Sequence, residues 1–201
     1  RPLFHFFRQN FSQVTNPPID SLRESEVMSL KTRFGNTGNI LDFENLTEDN
    51  IYVLDSPILS NSQFEKFLDF FKKDIKVLDC TFNFDETLKK RLDKLRFEAE
   101  TAVREGFKHL ILTDKDNNKE KIPVPMTLAI GAINSRLVDL GIRGFASINV
   151  QTSEALDTHS FAVLLGVGAT TINSYISFDS IFQRYEKGLF GKITFEECVK
   201  R

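Results

Sequence analysis

Between residues 51 and 200, short apolar runs alternate with longer stretches whose apolar positions recur every three or four residues. Ile51 to Leu54 is a short extended run, turned by Ser56-Pro57-Ile58-Leu59. Asn61 or Ser62 then caps a helix with Phe64, Phe67, Leu68 and Phe71 on one face. Lys76 to Asp79 predicts a strand, and Asp85 caps the next helix, where Leu88, Leu92, Leu95, Ala99 and Ala102 form the cleanest amphipathic stripe. Gly106 ends that helix. His109 to Thr113 predicts a buried strand, and Asp114 to Lys121 a polar loop. Ile122-Pro123-Val124-Pro125 leads into a helix with Ala129, Ile130, Ile133, Leu137 and Leu140 on one face, closed by Gly141. Phe145 to Val150 is the next strand. A further helix is capped by Thr152 or Ser153, with Glu154 and Asp157 in its first turn, where the dipole favours acids. Phe161 to Leu165 is apolar nearly all round, which predicts burial on more than one side. Gly166 and Gly168 break it before a strand over Ala169 to Ile172; a helix over Ile176 to Glu186, a stop at Gly188 and a last short helix from Thr194 follow.

Strand and helix thus alternate at least four times, which predicts an α/β fold with a parallel sheet, open or rolled into part of a barrel. Residues 1–50 are less regular. Phe4, Phe6, Phe7 and Phe11 can share a helical face, but Pro17-Pro18 ends any such helix. Asp20 is a candidate cap for a short helix carrying Leu22, Val27, Met28 and Leu30, and Arg33 to Asn39 has turn chemistry. The expected organisation is one domain over residues 1–201: an irregular, partly helical lead-in over 1–50, then β/α repeats over 51–201.

Composition excludes several classes. The chain has 201 residues, 41% of them hydrophobic and 27% charged, as expected of a globular protein with its own core. A net charge of −2 supplies no basic field for nucleic acid or an acidic membrane. No apolar run approaches the roughly 18 residues of a membrane span. Arg1-Pro2-Leu3-Phe4 leads directly into polar residues, unlike a secretion signal, and the absence of an initiator Met is expected of a piece of a longer polypeptide. The cytoplasm is the expected compartment. Cys80 and Cys198 have no metal or disulfide spacing, and Cys80 is expected to be buried and reduced. With 20 Phe and no Trp, Phe is expected to fill the core and line a subunit or domain interface.

In parallel α/β folds, sites lie beyond the carboxyl ends of the strands. The residues there are Asp79 and Thr81, Thr113 and Asp114, Gln151 and Ser153, Asn173 and Tyr175. An acid/base pair can be built from Asp79 and Asp114, which would make the chain a free-standing barrel-type enzyme; Asp at a strand end also serves as a helix cap or loop anchor. A ligand-binding regulatory α/β module is the third reading. His159, one turn into a helix beside Phe161, reads as a hydrogen-bonded structural histidine, and Glu154 as a partner of the helix dipole. His5 and His109 have no neighbours suggesting a triad or a metal. Gly166-x-Gly168 precedes a strand instead of following one, the wrong context for a dinucleotide fingerprint. Asp114-Lys115-Asp116-Asn117-Asn118 lacks the Gly and closing Glu of a calcium loop.

Two stretches carry a family resemblance. INVQTSEALDTHSFAVLLGVGATTINSY, residues 148–175, is similar to the end of the central domain in the glutamate synthase large subunit, and RQNFSQVTNPPIDSLRESEVMSLKT, residues 8–32, resembles another segment of it. Smaller collinear matches lie between: Ser56-Pro57-Ile58-Leu59, Leu78 to Phe82, Glu98 to Val103, Leu110 to Asp114 and Ile122 to Pro125. The turn Ile148 to Glu154 departs from the family's Val-Val-Glu-Ser/Thr-Gly-Glu-like pattern, and no amidotransferase nucleophile or iron–sulfur cysteine cluster is present. The resemblance implies a rudimentary, partial TIM-barrel-like domain between an N-terminal glutamine amidotransferase and an FMN-binding barrel with an iron–sulfur cluster, followed by a β-helix. The parent would make glutamate from glutamine and 2-oxoglutarate, in the cytoplasm or, in a photosynthetic eukaryote, a plastid. This chain would be a non-catalytic spacer with no cofactor of its own, positioning the other domains for ammonia transfer. Asn16, Pro17, Pro18, Asp20, Arg23 and Glu24 are the expected docking surface, since two prolines stiffen a polar-ended segment outside the β/α repeats.

Overall fold

A computed structural model of the chain describes residues 3–8, 19–20, 22–35, 41, 51–116 and 120–200. It divides into two compact units, Arg8–Pro57 and the combination of Arg1–Phe7 with Ile58–Arg201.

In the smaller unit, α1 (Glu24–Val27) precedes a two-stranded antiparallel sheet of β1 (Thr32–Phe34) and β2 (Tyr52–Leu54), with Thr32 opposite Leu54 and Phe34 opposite Tyr52. The predicted turn chemistry of Arg33 onward therefore begins as strand. Gly35 ends it at φ 129°, a conformation that L side chains rarely adopt. Phe11 and residues 36–40 lie outside the described residues.

The larger unit runs in chain order as α2 (Asn61–Phe70), β3 (Ile75–Asp79), β4 (Thr81–Asn83), α3 (Leu88–Arg104), β5 (His109–Thr113), β6 (Lys121–Pro123), α4 (Met126–Asp139), β7 (Ser147–Gln151), α5 (Thr158–Gly166), β8 (Thr171–Asn173), α6 (Tyr175–Glu186) and α7 (Phe195–Lys200). Four strands form one parallel sheet in the order β3-β5-β7-β8, as the alternation predicts, and the arrangement is compatible with a partial barrel. Ile58 adds a parallel bridge to Ile172 on the far side of β8. A second pairing, β4 with β6 antiparallel, falls partly within the predicted polar loop; the period-2 signal in three residues ending at Pro123 is too short to read.

One sheet face carries Leu78, Leu110, Leu112, Ile148, Val150 and Ile172, packed with Leu95 and Ala99 of α3, Ala129, Ile130, Ile133 and Leu137 of α4, and Leu164 of α5. Each leucine, isoleucine or valine among them contributes about 2 kcal/mol on burial. The opposite face carries the alternate residues, among them His109, whose ring lies 5.6 Å from Phe67 and 4.1 Å from Phe71. Helix α2 with its C-terminal turn therefore covers this second face, where a barrel would have its interior.

Helix starts lie near their predicted places, and geometry selects the capping residue. Ser60, not Asn61 or Ser62, caps α2 in a reciprocal box with Gln63. Thr87, not Asp85, caps α3, and Asp157, not Thr152 or Ser153, caps α5. Each is the residue with extended backbone just before the first helical turn. Residues 152–157 are consequently a loop. Helix α5 is only half-buried: Ser160 and Leu164 are enclosed, while Ala162 faces solvent. An apolar sequence fills a helix without deciding how many neighbours surround it. Phe145 belongs to a short 3₁₀ turn (Arg143–Phe145), not to β7, and is exposed. The predicted Phe core is mainly aliphatic: Phe4, Phe34, Phe64 and Phe67 are buried, whereas Phe6, Phe70, Phe84, Phe97 and Phe145 are exposed. Leu3–Phe7 is a 3₁₀ helix in which Phe4 joins the main core and Phe6 and Phe7 do not, so the predicted shared face is split.

Candidate functional site

The strand register places Asp79, Thr113, Gln151 and Asn173 in one row at the carboxyl end of the sheet. The side chains of Thr113, Gln151 and Asn173 bond to one another across the strands. Thr113 Oγ1 donates to Gln151 Oε1 at 3.0 Å, Gln151 Nε2 to Asn173 Oδ1 at 3.4 Å, and Asn173 Nδ2 to Asn61 Oδ1 at 2.9 Å and the Leu59 carbonyl at 3.0 Å. Asn61 Nδ2 continues to Asp179 Oδ1 at 2.8 Å. A hydroxyl and successive amides, each both donor and acceptor, tie the strand ends to the starts of α2 and α6.

Asp114 lies one residue beyond β5 and is 0% exposed. Its carboxylate accepts from the Thr152 hydroxyl at 2.7 Å, the Ser153 amide at 3.0 Å, the Ser153 hydroxyl at 3.2 Å and the Tyr175 hydroxyl at 3.0 Å. Burial and then the Asp114 charge push the Tyr175 phenol up to about 12. Asp114 thus anchors the β7–α5 loop and the first residue of α6. Asp79 is engaged separately: it accepts from the Thr81 hydroxyl at 2.7 Å and amide at 3.0 Å and pairs with Lys121 at 3.0 Å. Partial burial raises its pKa, but Thr81 and Lys121 outweigh burial and hold the carboxyl below the usual range. The two aspartates offered by the sequence as an acid/base pair therefore have different partners, and each serves as a loop anchor.

Glu154 has a role that its sequence position concealed. Its carboxylate accepts from the Met126 amide at 3.0 Å, so it satisfies the N-terminus of α4, where Pro125 offers no side-chain cap, and not the dipole of α5. Burial raises its pKa; the Met126 amide opposes this and the Asp114 charge adds to it. His159 Nε2 donates to the Phe4 carbonyl at 3.0 Å, a structural role as predicted. Cys80 is buried and free, with burial pushing its thiol up, and Cys198 is also free. Among the described residues no three of His, Cys, Asp and Glu gather as a metal site requires.

A cavity of about 580 Å³ opens at the outer edge of β3, between that strand, β4 and α3. Arg91, only 5% exposed, lines it; it pairs with Glu98 at 3.3 Å and donates to the Asp79 carbonyl. Sequence reasoning passed over Arg91. The available signal was its place three residues after Leu88 and four before Leu95, a charge on an apolar stripe.

Residues 1–200 match a family model described as the glutamate synthase central domain. The chain belongs to this family. It is 50% identical over 200 residues to the glutamate synthase [NADPH] large chain of Azospirillum brasilense, covering 98% of this chain and 13% of that protein. It is 37% identical over 201 residues to the corresponding large chain of Bacillus subtilis (strain 168), covering 99% and 13%. With the chloroplastic ferredoxin-dependent glutamate synthase of Oryza sativa subsp. japonica the identity is 40% over 187 residues, covering 90% and 12%. The chain thus spans about an eighth of the length of these glutamate synthases. In this central domain, the expected docking residues Asn16, Pro17 and Pro18 lie outside the described residues. Asp20, Arg23 and Glu24 are exposed: Asp20 Oδ1 accepts from the amides of Leu22 at 3.0 Å and Arg23 at 2.9 Å, and its carbonyl accepts from the Glu24 amide. Asp20 therefore organises the turn before α1, but it is not the predicted cap: the N-cap is Arg23, with no side-chain cap bond, and the helix spans only Glu24–Val27, leaving Leu22, Met28 and Leu30 outside it. Beside it Ile19, Leu22, Val27, Met28 and Leu30 are all exposed. Among the described residues no helix is long and apolar enough to cross a membrane.

Proposed function

We propose that the chain is a non-catalytic spacer within a glutamate synthase, holding a glutamine amidotransferase domain and an FMN-binding synthase domain at a fixed separation. The parent would form glutamate from glutamine and 2-oxoglutarate. FMN and an iron–sulfur cluster would belong to the synthase domain, and a β-helix would complete the polypeptide, in the cytoplasm or a plastid. Ammonia released at one site must reach the other without escaping into water, which requires rigid relative placement of the two. The observation that carries this reading is the fate of the acids at the sheet's carboxyl end: Asp79, Asp114 and Glu154 all bind the chain's own loops and helix start. Their chemistry is rigidification of the place where a barrel enzyme holds substrate.

Residues 16–24 would supply docking, supported by the ordered turn at Asp20 beside the exposed apolar side chains from Ile19 to Leu30. The test is a double substitution, Asp20→Ala with Arg23→Ala, in the full-length polypeptide. Glutamine hydrolysis should then exceed glutamate formation by synthase turnover; an unchanged ratio discards the docking surface. Turnover of glutamine or 2-oxoglutarate by the 201-residue chain itself would discard the spacer role.

A further inference from the structure

The two edges of the parallel sheet are treated differently. Beyond β8, Ile58 forms a parallel bridge to Ile172, the Leu59 amide donates to the Ile172 carbonyl at 2.8 Å, and Asn173 holds the Leu59 carbonyl. At β3, no strand among the described residues pairs with the outer edge. The amide and carbonyl of one residue in a strand point to the same side. Cys80 donates to the Thr113 carbonyl at 2.7 Å, and the Asp74 carbonyl accepts from Lys108 and His109, so even-numbered residues here face β5. The backbone groups of Ile75, Val77 and Asp79 therefore point outward. The Asp79 carbonyl is taken by Arg91, which leaves Ile75 and Val77 as the centre of the open edge.

Side chains around that edge are placed as though something further belonged there. Val77 is 57% exposed in the middle of its strand, although every residue of β5 and β8 is buried. Helix α3 overhangs the edge with Phe97, 69% exposed, and the 580 Å³ cavity follows the strand from Lys76 to Asp79 and on to Asn83, under Lys94, Phe97 and Thr101. A strand one sheet spacing, about 4.8 Å, beyond β3 would run through this trough. Its alternate apolar side chains would enter between Leu78 and Phe97.

We propose that the outer edge of β3 receives an added strand: an extended segment with alternating apolar residues, supplied by another part of the same long polypeptide. This rests on the spacer reading, and the occupant follows from the chain's spanning 13% of its bacterial relatives, which places most of such a polypeptide outside these residues. Main-chain bonding gives such an addition its register, and the cavity gives it side-chain selectivity.

Hydrogen exchange at single-amide resolution tests it, in the full-length polypeptide and in the 201-residue chain. The Val77 amide should exchange at least about tenfold more slowly in the full-length protein, while the inward-facing Leu78 amide stays protected in both. Equal rates at Val77 overturn the proposal. A Val77→Cys variant then identifies the neighbour by cross-linking and mass spectrometry. Linkage to a distant segment of the same polypeptide supports the proposal; linkage to Val77→Cys of a second copy, or none, overturns it. Coupling of the two half-reactions reads the spacer role and exchange at Val77 reads this edge, so each can fail alone.

Discussion

Asp114 illustrates how a buried acid can be structural. Its carboxylate gathers three hydroxyls and an amide from residues 38 to 61 positions away, so removing it strands several donors in the interior. Asp114→Ala should cost about 3 kcal/mol in urea unfolding, and Tyr175→Phe, which loses one bond, about 1 kcal/mol. Glu154 gives a prediction with a sign. Its folded pKa is raised above the ordinary value of 4.5, so its contribution is fully present below that value and is lost as pH rises through the folded pKa. Glu154→Gln keeps an oxygen for the Met126 amide without a buried charge. Its stability relative to the parent should therefore improve as pH is raised from about 4.5 towards neutrality. Glu154→Ala, which removes the cap, should lose about 1 kcal/mol.

At the scale of the element, the parallel sheet has one apolar face and one hydrogen-bonded face. Thr171 Oγ1 donates to Asn149 Oδ1 at 2.7 Å, Asn149 Nδ2 to Ser147 Oγ at 2.8 Å, and Ser147 Oγ meets His109 Nδ1 at 2.8 Å. Burial lowers the His109 pKa from 6.5 to about 4, with the Asp74 charge opposing this and Lys108 adding to it. A depressed histidine favours the fold while neutral. Stability from this residue is thus present above pH 6.5 and lost as pH falls through about 4. Urea midpoints should decline across that window, and His109→Gln should flatten this part of the profile. Gly168, at φ 126°, is a second requirement of the element: a Cβ there would lie 2.5 Å from Asn134 Cγ, the side chain that accepts from Arg143 at 2.7 Å.

At the scale of the whole molecule, the 3₁₀ helix Leu3–Phe7 is tied to α5. Phe4 sits in the main core, and its carbonyl binds His159, 155 residues later. Phe4→Ala should cost about 3 kcal/mol and lower the urea midpoint read by a probe in the larger unit. Loss confined to local fraying near residue 4 would contradict its membership of that core. The Arg136–Glu100 pair at 2.8 Å, joining α4 to α3, lies at the surface with Arg136 exposed and Glu100 partly covered, and should matter less.

The sequence by itself determined the order and type of nearly every element after residue 58, because strand and helix periods are local properties that a few side chains express. It also determined the family, through collinear residues from Arg8 to Tyr175, and the anchoring capacity of Asp79 and Asp114. Only the tertiary structure decided which groups meet. Glu154 caps a helix that begins 28 residues earlier, Arg91 reaches the Asp79 carbonyl across a connection, and β4 finds β6 over an intervening helix and strand. Cap identity shifted by one residue or more at α2, α3 and α5, since side-chain reach depends on backbone angles that composition leaves open. The apolar face of α5 and the surface phenylalanines follow the same rule: hydrophobicity is written in the residue, but burial is conferred by whatever packs beside it.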